Sequence, residues 1–349
     1  MLKIYSEDCV DQTTPVVITI DGTPAKPCMP SPTRNHIVNP CALVNQVVTA
    51  ATLVQDTYVY GPDMFMAMAT GTAVSAGTFG QTSAASVGST GYAFTLAGVT
   101  LTGTGVLYVR HRMRSKDAVL LKNKACSLQV AVGHDVGSDV NHTLTVRKAS
   151  AVDDFSTTAV IQAGSAMAVT TGTSSVIELK NIQMGDCGNG LEIELKIEPG
   201  AITANNFEIT EWQLETARMC TPVAIASLGD TLAKCQRRYS TTYSDGVAPG
   251  TPTPWGSVGA VHCQTVNGSQ TLHPGLDIAF PEEMDVIPAV TVYSSWTGTT
   301  GVIRNISTQA DVALTSLSNT STSHVGQLIT VPVAAGNVCN AHFVFDCRI

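Results

Sequence analysis

The sequence carries little charge. Charged residues make up 13% and aromatic residues 5% of its 349 positions, whereas roughly 25% charged is usual for a soluble domain. Hydrophobic residues reach 44%, which is enough for a packed core and excludes a disordered chain. Since charged residues are depleted at the centre of protein interfaces, this composition is typical of a chain with large contacts between subunits.

Positive charge is especially scarce, with 19 Lys and Arg against 27 Asp and Glu and a net charge of -8. Nucleic acid is therefore excluded as a partner, because phosphate binding needs clustered Lys and Arg. The clearest basic cluster is "RHRMRSK" at 110–116. Its alternation suits one face of a strand, which indicates a solvated face or, alternatively, a site for an anionic ligand.

Several sequence signals are missing. The apolar runs fall far short of the ~20 residues that span a bilayer, and the opening "MLKIYSEDCV" lacks the apolar region of a signal peptide, so we expect no membrane insertion. The ten cysteines form no C-x-x-C pair, which argues against structural zinc and favours buried reduced thiols. Motifs for a nucleophile elbow, a zinc protease or a P-loop are also missing, and we expect no cofactor and no metal.

Short β-strands fill the region 34–222. The segments "SLQVAV", "TLTVRKA" and "LEIELKIEP" alternate with a period of two, and Gly/Ser/Thr-rich loops separate them. In the last segment one face holds Leu191, Ile193, Leu195 and Ile197, and the other holds Glu192, Glu194, Lys196 and Glu198. Many short strands without βαβ alternation predict an all-β, antiparallel jelly-roll or β-sandwich domain of the carbohydrate-binding-module type.

One helix is predicted in the stretch 223–245. Ser227 is a good N-cap residue, and Asp230 stands at the third position after it, as in a capping box. Basic residues lie near the predicted C-terminal end, where the helix dipole favours cations. The spacing of apolar residues predicts one stripe, made of Leu228, Leu232, Cys235 and Tyr239. We interpret this stretch as a connector helix with a linker.

A second, smaller β-sandwich domain is predicted for 246–349. Its final segment, "AHFVFDCRI", alternates cleanly, with Ala341, Phe343, Phe345, Cys347 and Ile349 on one face. We expect this strand to continue to Ile349.

The first 33 residues are too few for a core of their own. They contain one strand-like run, 16–20, followed by a stretch rich in proline, which central strands do not accept. We interpret 1–33 as a linker with a strand that docks on another protein by adding to a sheet edge. The residues expected to make that contact are Val16, Val17, Ile18 and Ile20.

Three segments, in order, resemble the minor structural and tail-fibre proteins of tailed bacteriophages. They are "NPCALVNQ" (39–46), "ITEWQLETARMCTPV…LAKCQRRY" (209–239) and "IAFPEEMDVIPAVTVYSSWTGTTGVIRN…AHFVFDCRI" (278–349). The first is similar to the opening of a jelly-roll domain, the second to a strand-then-helix ending, and the third to a small C-terminal β domain. The chain departs from the family pattern at Val223, at the residue after "QLE" and at Arg238, which concerns the packing of the helix.

The resemblance implies a virion protein, usually a homotrimer assembled about a three-fold axis. Segment 1–33 then becomes a virion anchor that contacts other virion proteins, and 246–349 a domain that attaches to a glycan or protein of the host cell surface. A trimeric tail fibre or receptor-binding adhesin without catalysis is the leading hypothesis. The alternatives are a capsid decoration or head-fibre protein, because the chain is short for a tail fibre, and an enzyme that degrades host glycans.

Candidate ligand-binding residues are aromatic, because sugar rings stack on Trp and Tyr faces. Trp255 lies in a Pro/Gly loop, and Trp296 lies between "YSS" and "TGTTG". Tyr243 stands at the end of the connector and is the third candidate. Core packing or a trimer contact is the alternative for these residues.

Candidate catalytic residues would be two carboxylates about 5 to 9.5 Å apart. The segment "FEITEWQLE" offers Glu208, Glu211 and Glu215, and the apolar phase changes there, which predicts a β-bulge near Glu211. We favour structural positions for these carboxylates and expect no catalytic residue.

The segment "GHDVGSDVNH" gathers ligand types for a divalent metal, namely His134, Asp135, Asp139 and His142. Its Gly and Ser content predicts a hairpin loop with solvated side chains. A metal site is the alternative interpretation.

Overall fold

The fold is described here from a computed structural model, which covers residues 19–20, 23–24, 34–71, 74–253, 260–264, 270–273, 278–334 and 336–349. Three of the predicted anchor residues, Val16, Val17 and Ile18, lie outside the described residues, as does Trp255. The described pieces of the first segment are β1 (Thr19–Ile20) and β2 (Thr23–Pro24), which pair with each other. None of the described helices has the length and apolar character needed to cross a membrane.

The first β unit is a sandwich of two antiparallel sheets. Its strands are β3 (Ala51–Thr52), β4 (Val59–Tyr60), β5 (Phe65–Thr70), β6 (Val74–Thr82), β7 (Ala93–Leu101), β8 (Val106–Met113), β9 (Ala125–His134), β10 (Val140–Ala151), β11 (Asp154–Ala163), β12 (Met167–Val169), β13 (Ser175–Gln183), β14 (Leu191–Glu198) and β15 (Ile202–Glu215). The first sheet has the order β11-β10-β14-β8-β5-β4, with β12 beside β10, and the second has the order β13-β9-β15-β7-β6-β3. The predicted all-β, antiparallel jelly-roll or β-sandwich class is confirmed.

The core of this sandwich lies between the two sheets. Alternate residues of β14, from Leu191 to Ile197, are fully buried there, as their period-two pattern predicts. An aromatic cluster fills the centre, because the Phe65 ring centroid lies 4.1 Å from that of Phe94 and 5.5 Å from that of Trp212. Burial of such rings supplies a large part of the driving force for folding.

The predicted bulge in β15 is confirmed. Its pairing with β9 shifts register between Thr210 and Gln213, and Glu211 adopts φ 55°, a left-handed value that is rare outside glycine. The extra residue returns Trp212 and Leu214 to the core.

Two helical segments are present in the described chain. The predicted one is α2 (Leu228–Gln236), where the Ser227 hydroxyl accepts a hydrogen bond from the Asp230 amide at 3.1 Å, so the predicted cap is confirmed. The other, α1 (Ser115–Ala118), continues into a 3₁₀ turn (Val119–Leu121) and was not expected.

The predicted apolar stripe of α2 is partly wrong. Cys235 is fully buried in the sandwich core, and Leu232 packs against the same core. Leu228, in contrast, is 60% exposed. Tyr239 does not belong to the helix, because the chain has already entered β16 (Tyr239–Thr241). The helix therefore packs on the first β unit through fewer residues than its periodicity suggests.

The C-terminal β unit is one antiparallel sheet in the described chain. It contains β16, β17 (Val261–Gln264), β18 (Gln270–His273), β19 (Ile278–Ala279), β20 (Ala289–Ser294), β21 (Val302–Asn305), β22 (Ala310–Thr320), β23 (His324–Val333) and β24 (Val338–Asp346). The strands around β24 and those around β23 contribute side chains to one apolar cluster.

Alternation in the last strand is confirmed, since Phe343 and Phe345 are buried in this cluster. The expectation that the strand continues to Ile349 is wrong, because β24 ends at Asp346. The following residues bond to the first β unit instead, and the Tyr60 hydroxyl donates to the main-chain oxygen of Ile349 at 2.6 Å.

Candidate functional site

Trp296 is the predicted ligand residue that the structure leaves accessible, with 37% of its surface exposed. It lies in the turn after β20, and the guanidinium carbon of Arg304 stands 5.1 Å from its ring centroid, a cation–π contact. Asp311 holds this turn, since it accepts a hydrogen bond from the Thr297 hydroxyl at 2.6 Å and pairs with Arg304 at 3.3 Å. An indole fixed beside a cation is a suitable platform for a polar ring.

Tyr243 is buried, and its ring packs against residues of the C-terminal β unit. Its ring stacks on His342 with centroids 4.0 Å apart, and the Tyr293 ring lies 6.0 Å away edge-on. Its hydroxyl accepts a hydrogen bond from the Gly250 amide at 3.0 Å. The structure therefore does not bring Tyr243 and Trp296 together on one surface, and ligand binding by either residue, or by Trp255, stays a prediction.

The carboxylates of Glu208 and Glu211 fasten a loop to β15. Glu208 accepts hydrogen bonds from the amide and hydroxyl of Ser86, both at 2.7 Å. Glu211 accepts from the amide and hydroxyl of Ser89, at 2.6 and 2.5 Å. These carboxylates hold the loop between β6 and β7 across the bulge.

Glu215 is also a structural carboxylate. It is buried at the end of β15, where it accepts a hydrogen bond from the Thr221 amide at 2.8 Å and pairs with Arg34 at 3.1 Å. All three candidate catalytic carboxylates thus bond to loops or chain ends in this structure.

The histidines of "GHDVGSDVNH" are not solvated, and that expectation is wrong for them. His134 and His142 lie in β9 and β10, are buried, and stack with ring centroids 5.8 Å apart. Burial lowers the pKa of His142 to about 4, so it is neutral at pH 7. Asp135 instead accepts hydrogen bonds from Asn205 and Asn206. Within the described ranges, no three His, Cys, Asp or Glu residues are arranged to hold a metal ion.

The basic cluster on β8 is neutralised by its neighbours. Arg110 pairs with Glu192 at 3.0 Å and also with Glu194, and Arg112 pairs with Glu192 at 2.8 Å. Arg147 extends the row by pairing with Glu194 at 3.1 Å. Both carboxylates are buried under the arginines, so neither a solvated basic face nor a free anion site exists here.

Aromatic rings flank this row of ion pairs on the outer face of the first sheet. The guanidinium carbon of Arg110 lies 4.7 Å from the Tyr58 ring centroid, and that of Arg112 lies 5.0 Å from that of Phe155. Stacked arginines of this kind form a rigid, nearly neutral surface.

Arg238 is the central residue of the contact between the two β units, which we call the junction. Its guanidinium donates to Asp285 at 2.9 Å, to Asp117 at 2.7 Å and to the carbonyl oxygen of Arg112 at 2.8 Å. Asp285 belongs to the C-terminal unit, whereas Asp117 and Arg112 belong to the first. One buried side chain therefore bonds to both units.

The last residues of the chain add to the junction. Arg114 donates to the carbonyl oxygen of Cys347 at 2.5 Å. The guanidinium of Arg348 contacts the rings of Tyr60 and Tyr239, with its carbon 4.2 Å from each centroid. These contacts fix the orientation of the C-terminal unit on the first.

A buried carboxylate completes the junction on the side of the first β unit. Gln46 donates to Asp63 at 2.6 Å and to the carbonyl oxygen of Tyr239 at 2.7 Å. Asn39 donates to the main-chain oxygen of Asp63 at 3.0 Å. Burial raises the pKa of Asp63 to about 6.

The residues of the junction were only partly visible in the sequence. Arg238 of "CQRRY" and Asp285 of "FPEEMD" stand 47 positions apart, and nothing local indicates that they meet. The one signal was Arg238 itself, a charged residue where the family pattern favours an aromatic.

Comparison with known proteins gives only weak structural similarities. No family model matches the chain, and a search of curated proteins found no match. A carbohydrate-binding module of the β-sandwich superfamily superposes with a TM-score of 0.34 and 9% identity over 44% of this chain and 57% of its own. The match thus spans a little over half of that structure.

Two other solved structures are similar to a comparable degree. TmCBM61 in complex with β-1,4-galactotriose gives a TM-score of 0.30 and 14% identity, covering 52% of this chain and 99% of its own. The enzymatically active domain of bacteriophage CBA120 tailspike protein 4 gives 0.28 and 10%, covering 53% of this chain and 22% of its own.

Proposed function

We propose that this protein is a non-enzymatic structural protein of a tailed-phage virion, a trimeric tail fibre or adhesin that attaches to the host surface. One observation carries the proposal. The three segments of the family resemblance supply the junction: Gln46 comes from the first, Arg238 and Tyr239 from the second, and Asp285 from the third. Residues that resemble a family pattern thus share one structural task, which is to fix one β unit on the other.

A fixed junction suits a protein whose work is mechanical. An adhesin must transmit force from the end that attaches to the host to the end that joins the virion. A buried network of ion pairs resists reorientation of the two β units better than a flexible linker does. A hydrolase would need two unengaged carboxylates facing a cleft. The candidates Glu208, Glu211 and Glu215 are instead bonded to Ser86, Ser89 and Thr221.

Host contact is assigned to the C-terminal unit, at the Trp296 turn. The exposed indole offers a stacking surface for a sugar ring, and Arg304 and Asp311 beside it offer hydrogen-bonding groups. The ligand class that fits this surface is a host-surface glycan. Segment 1–33 would then join the other virion proteins.

Two measurements test this proposal. Light scattering on the purified protein at micromolar concentration should give the mass of three chains, and a monomer would contradict the trimer. Immunogold labelling of purified virions, seen by electron microscopy, should place the protein on the tail. Labelling of the capsid would instead support a capsid decoration or head-fibre protein. Unlabelled virions would overturn the proposed virion role.

A further inference from the structure

A cleft opens at the junction, beside the network of Arg238. It has a volume of about 170 Å³, far more than the ~10–15 Å³ that one ordered water requires. Its walls come from the segment 35–38, β8, α1 with its 3₁₀ turn, the end of α2 and the segment before β20. The main lining residues are Val38, His111, Met113, Leu120, Lys234 and Arg237. The junction contacts described above leave this space unfilled.

The imidazole of His111 lies at the inner wall of the cleft and has no hydrogen-bond partner among the described residues. It is fully buried, and neither Nδ1 nor Nε2 is bonded. Its ring contacts Phe65, with centroids 5.0 Å apart. Burial also lowers the pKa of His111 to about 3, so at pH 7 the ring is neutral and presents one donor and one acceptor. A buried polar group without a partner is costly, which points to an occupant of the cleft.

The mouth of the cleft is positively charged. Lys234 is exposed and has no ion pair within the described part of the chain, and Arg237 keeps donors beyond its one bond to Asp285 at 2.7 Å. Arg238 is already engaged by Asp285 and Asp117. The lining thus holds three cations against two carboxylates, which favours an anionic ligand.

The remaining wall is apolar. Val38, Met113 and Leu120 line it, and Leu120 is 59% exposed at the rim. Such a surface matches the C–H face of a sugar ring, whereas an inorganic anion would use only the charged mouth. The volume admits a single ring and is too small for an oligosaccharide.

We propose that the junction cleft binds a small polyhydroxylated carboxylate, an acidic monosaccharide of the hexuronate class. Its carboxylate pairs with Lys234 and Arg237 at the mouth, one of its hydroxyl groups hydrogen-bonds a ring nitrogen of His111, and its ring rests on the apolar wall. This site is separate from the Trp296 turn and does not depend on the virion role.

The test is calorimetric titration of the full chain with D-glucuronate at pH 7. D-Glucose, which lacks the charge, and acetate, which lacks the hydroxyl groups, are the matched ligands. Glucuronate should bind at least about tenfold more tightly than either. The exposed position of Lys234 lets Lys234→Gln fold normally, and this variant should bind glucuronate about tenfold more weakly. Lys180→Gln, on the opposite sheet, should bind like the wild type.

His111→Phe is the second variant, since it keeps the ring contact with Phe65 but removes both polar atoms. It should lose glucuronate binding, and its melting temperature without ligand should rise because an unpartnered buried imidazole is removed. The proposal is overturned if glucuronate binds no better than glucose and acetate. It is also overturned if Lys234→Gln and Lys180→Gln bind glucuronate equally well.

Discussion

Arg238 and Asp285 join the two β units through a buried ion pair, with Nε of the arginine 2.9 Å from Oδ2 of the aspartate. The other oxygen of the same carboxylate lies 2.7 Å from Arg237. Two neighbouring arginines that follow α2 thus share a single carboxylate of the C-terminal unit.

Replacing Asp285 with Asn should destabilise the protein strongly. The change removes the buried one of the two carboxylates that pair with Arg238, and breaking a buried ion pair typically costs roughly 3–5 kcal/mol. The midpoint of urea unfolding measures this loss. Asp186→Asn is the control, because its pair with Lys122 is solvent-exposed, and the midpoint should barely move. Equal midpoints for the two variants would contradict the role of the junction.

Replacing Trp296 with Ala should weaken attachment to host cells while leaving the fold intact, because the ring is partly exposed. Tyr243→Ala should do the opposite, since it removes a buried ring stacked on His342 at a cost of roughly 3–5 kcal/mol. Cell-binding assays and thermal unfolding of both variants separate the two roles. If Trp296→Ala attached to cells as well as the wild type, the assignment of the receptor site to the Trp296 turn would be wrong.

Acidification from pH 6.5 to 4 should lower stability. Burial lowers the pKa of His111 to about 3 and that of His142 and His342 to about 4. Between pH 6.5 and 4 the unfolded chain therefore binds protons at these histidines that the native state does not bind, and this lowers the free energy of unfolding. Asp63 acts in the opposite direction, because its raised pKa of about 6 lets the native state bind one proton more. Three histidines outweigh one carboxyl group.

Melting temperatures measured at pH 7, 6 and 5 test this balance. They should fall with pH, and they should fall more steeply in Asp63→Asn, which lacks the opposing group. A melting temperature that is higher at pH 5 than at pH 6 would contradict the neutral state of the histidines in the native protein.

Deleting residues 1–33 should leave a folded protein, because the core residues of the first β unit, among those that the structure describes, start at Ile37. The truncated protein should no longer join virions, since this segment is the proposed anchor. Circular dichroism checks the fold, and immunoblots of purified virions check incorporation. Normal incorporation would mean that another part of the chain carries the anchor.

Incubation with host-surface polysaccharide should release no reducing ends, because Glu208 and Glu211 are engaged in bonds to the loop between β6 and β7. A reducing-sugar assay measures this. Release that disappears in Glu208→Gln would identify an enzyme after all.

Local patterns in the sequence predicted much of the fold. The period of two in 191–198, the cap at Ser227 and the phase change at Glu211 each depend on residues close together in the chain. Backbone geometry and capping chemistry act over that same short range, so these features could be found without knowing what packs against them.

Candidate sites were harder to predict, because exposure depends on the partner that covers a residue. Trp296 and Tyr243 are both aromatic residues near turns, yet one is exposed and the other is packed against His342. His134 and His142 were expected in a solvated loop, and strand pairing buries them instead.

The sequence alone determined the β-rich class, the position of the helix and the faces of the strongest strands, because those follow from neighbours in the chain. Only the tertiary structure decided that Arg110 would be neutralised by Glu192, that Arg238 would meet Asp285, and that His111 would face an unfilled cleft. Each of these depends on bringing together segments separated by tens of residues. Strand register and the packing of one β unit on the other set those distances, and no local pattern encodes them.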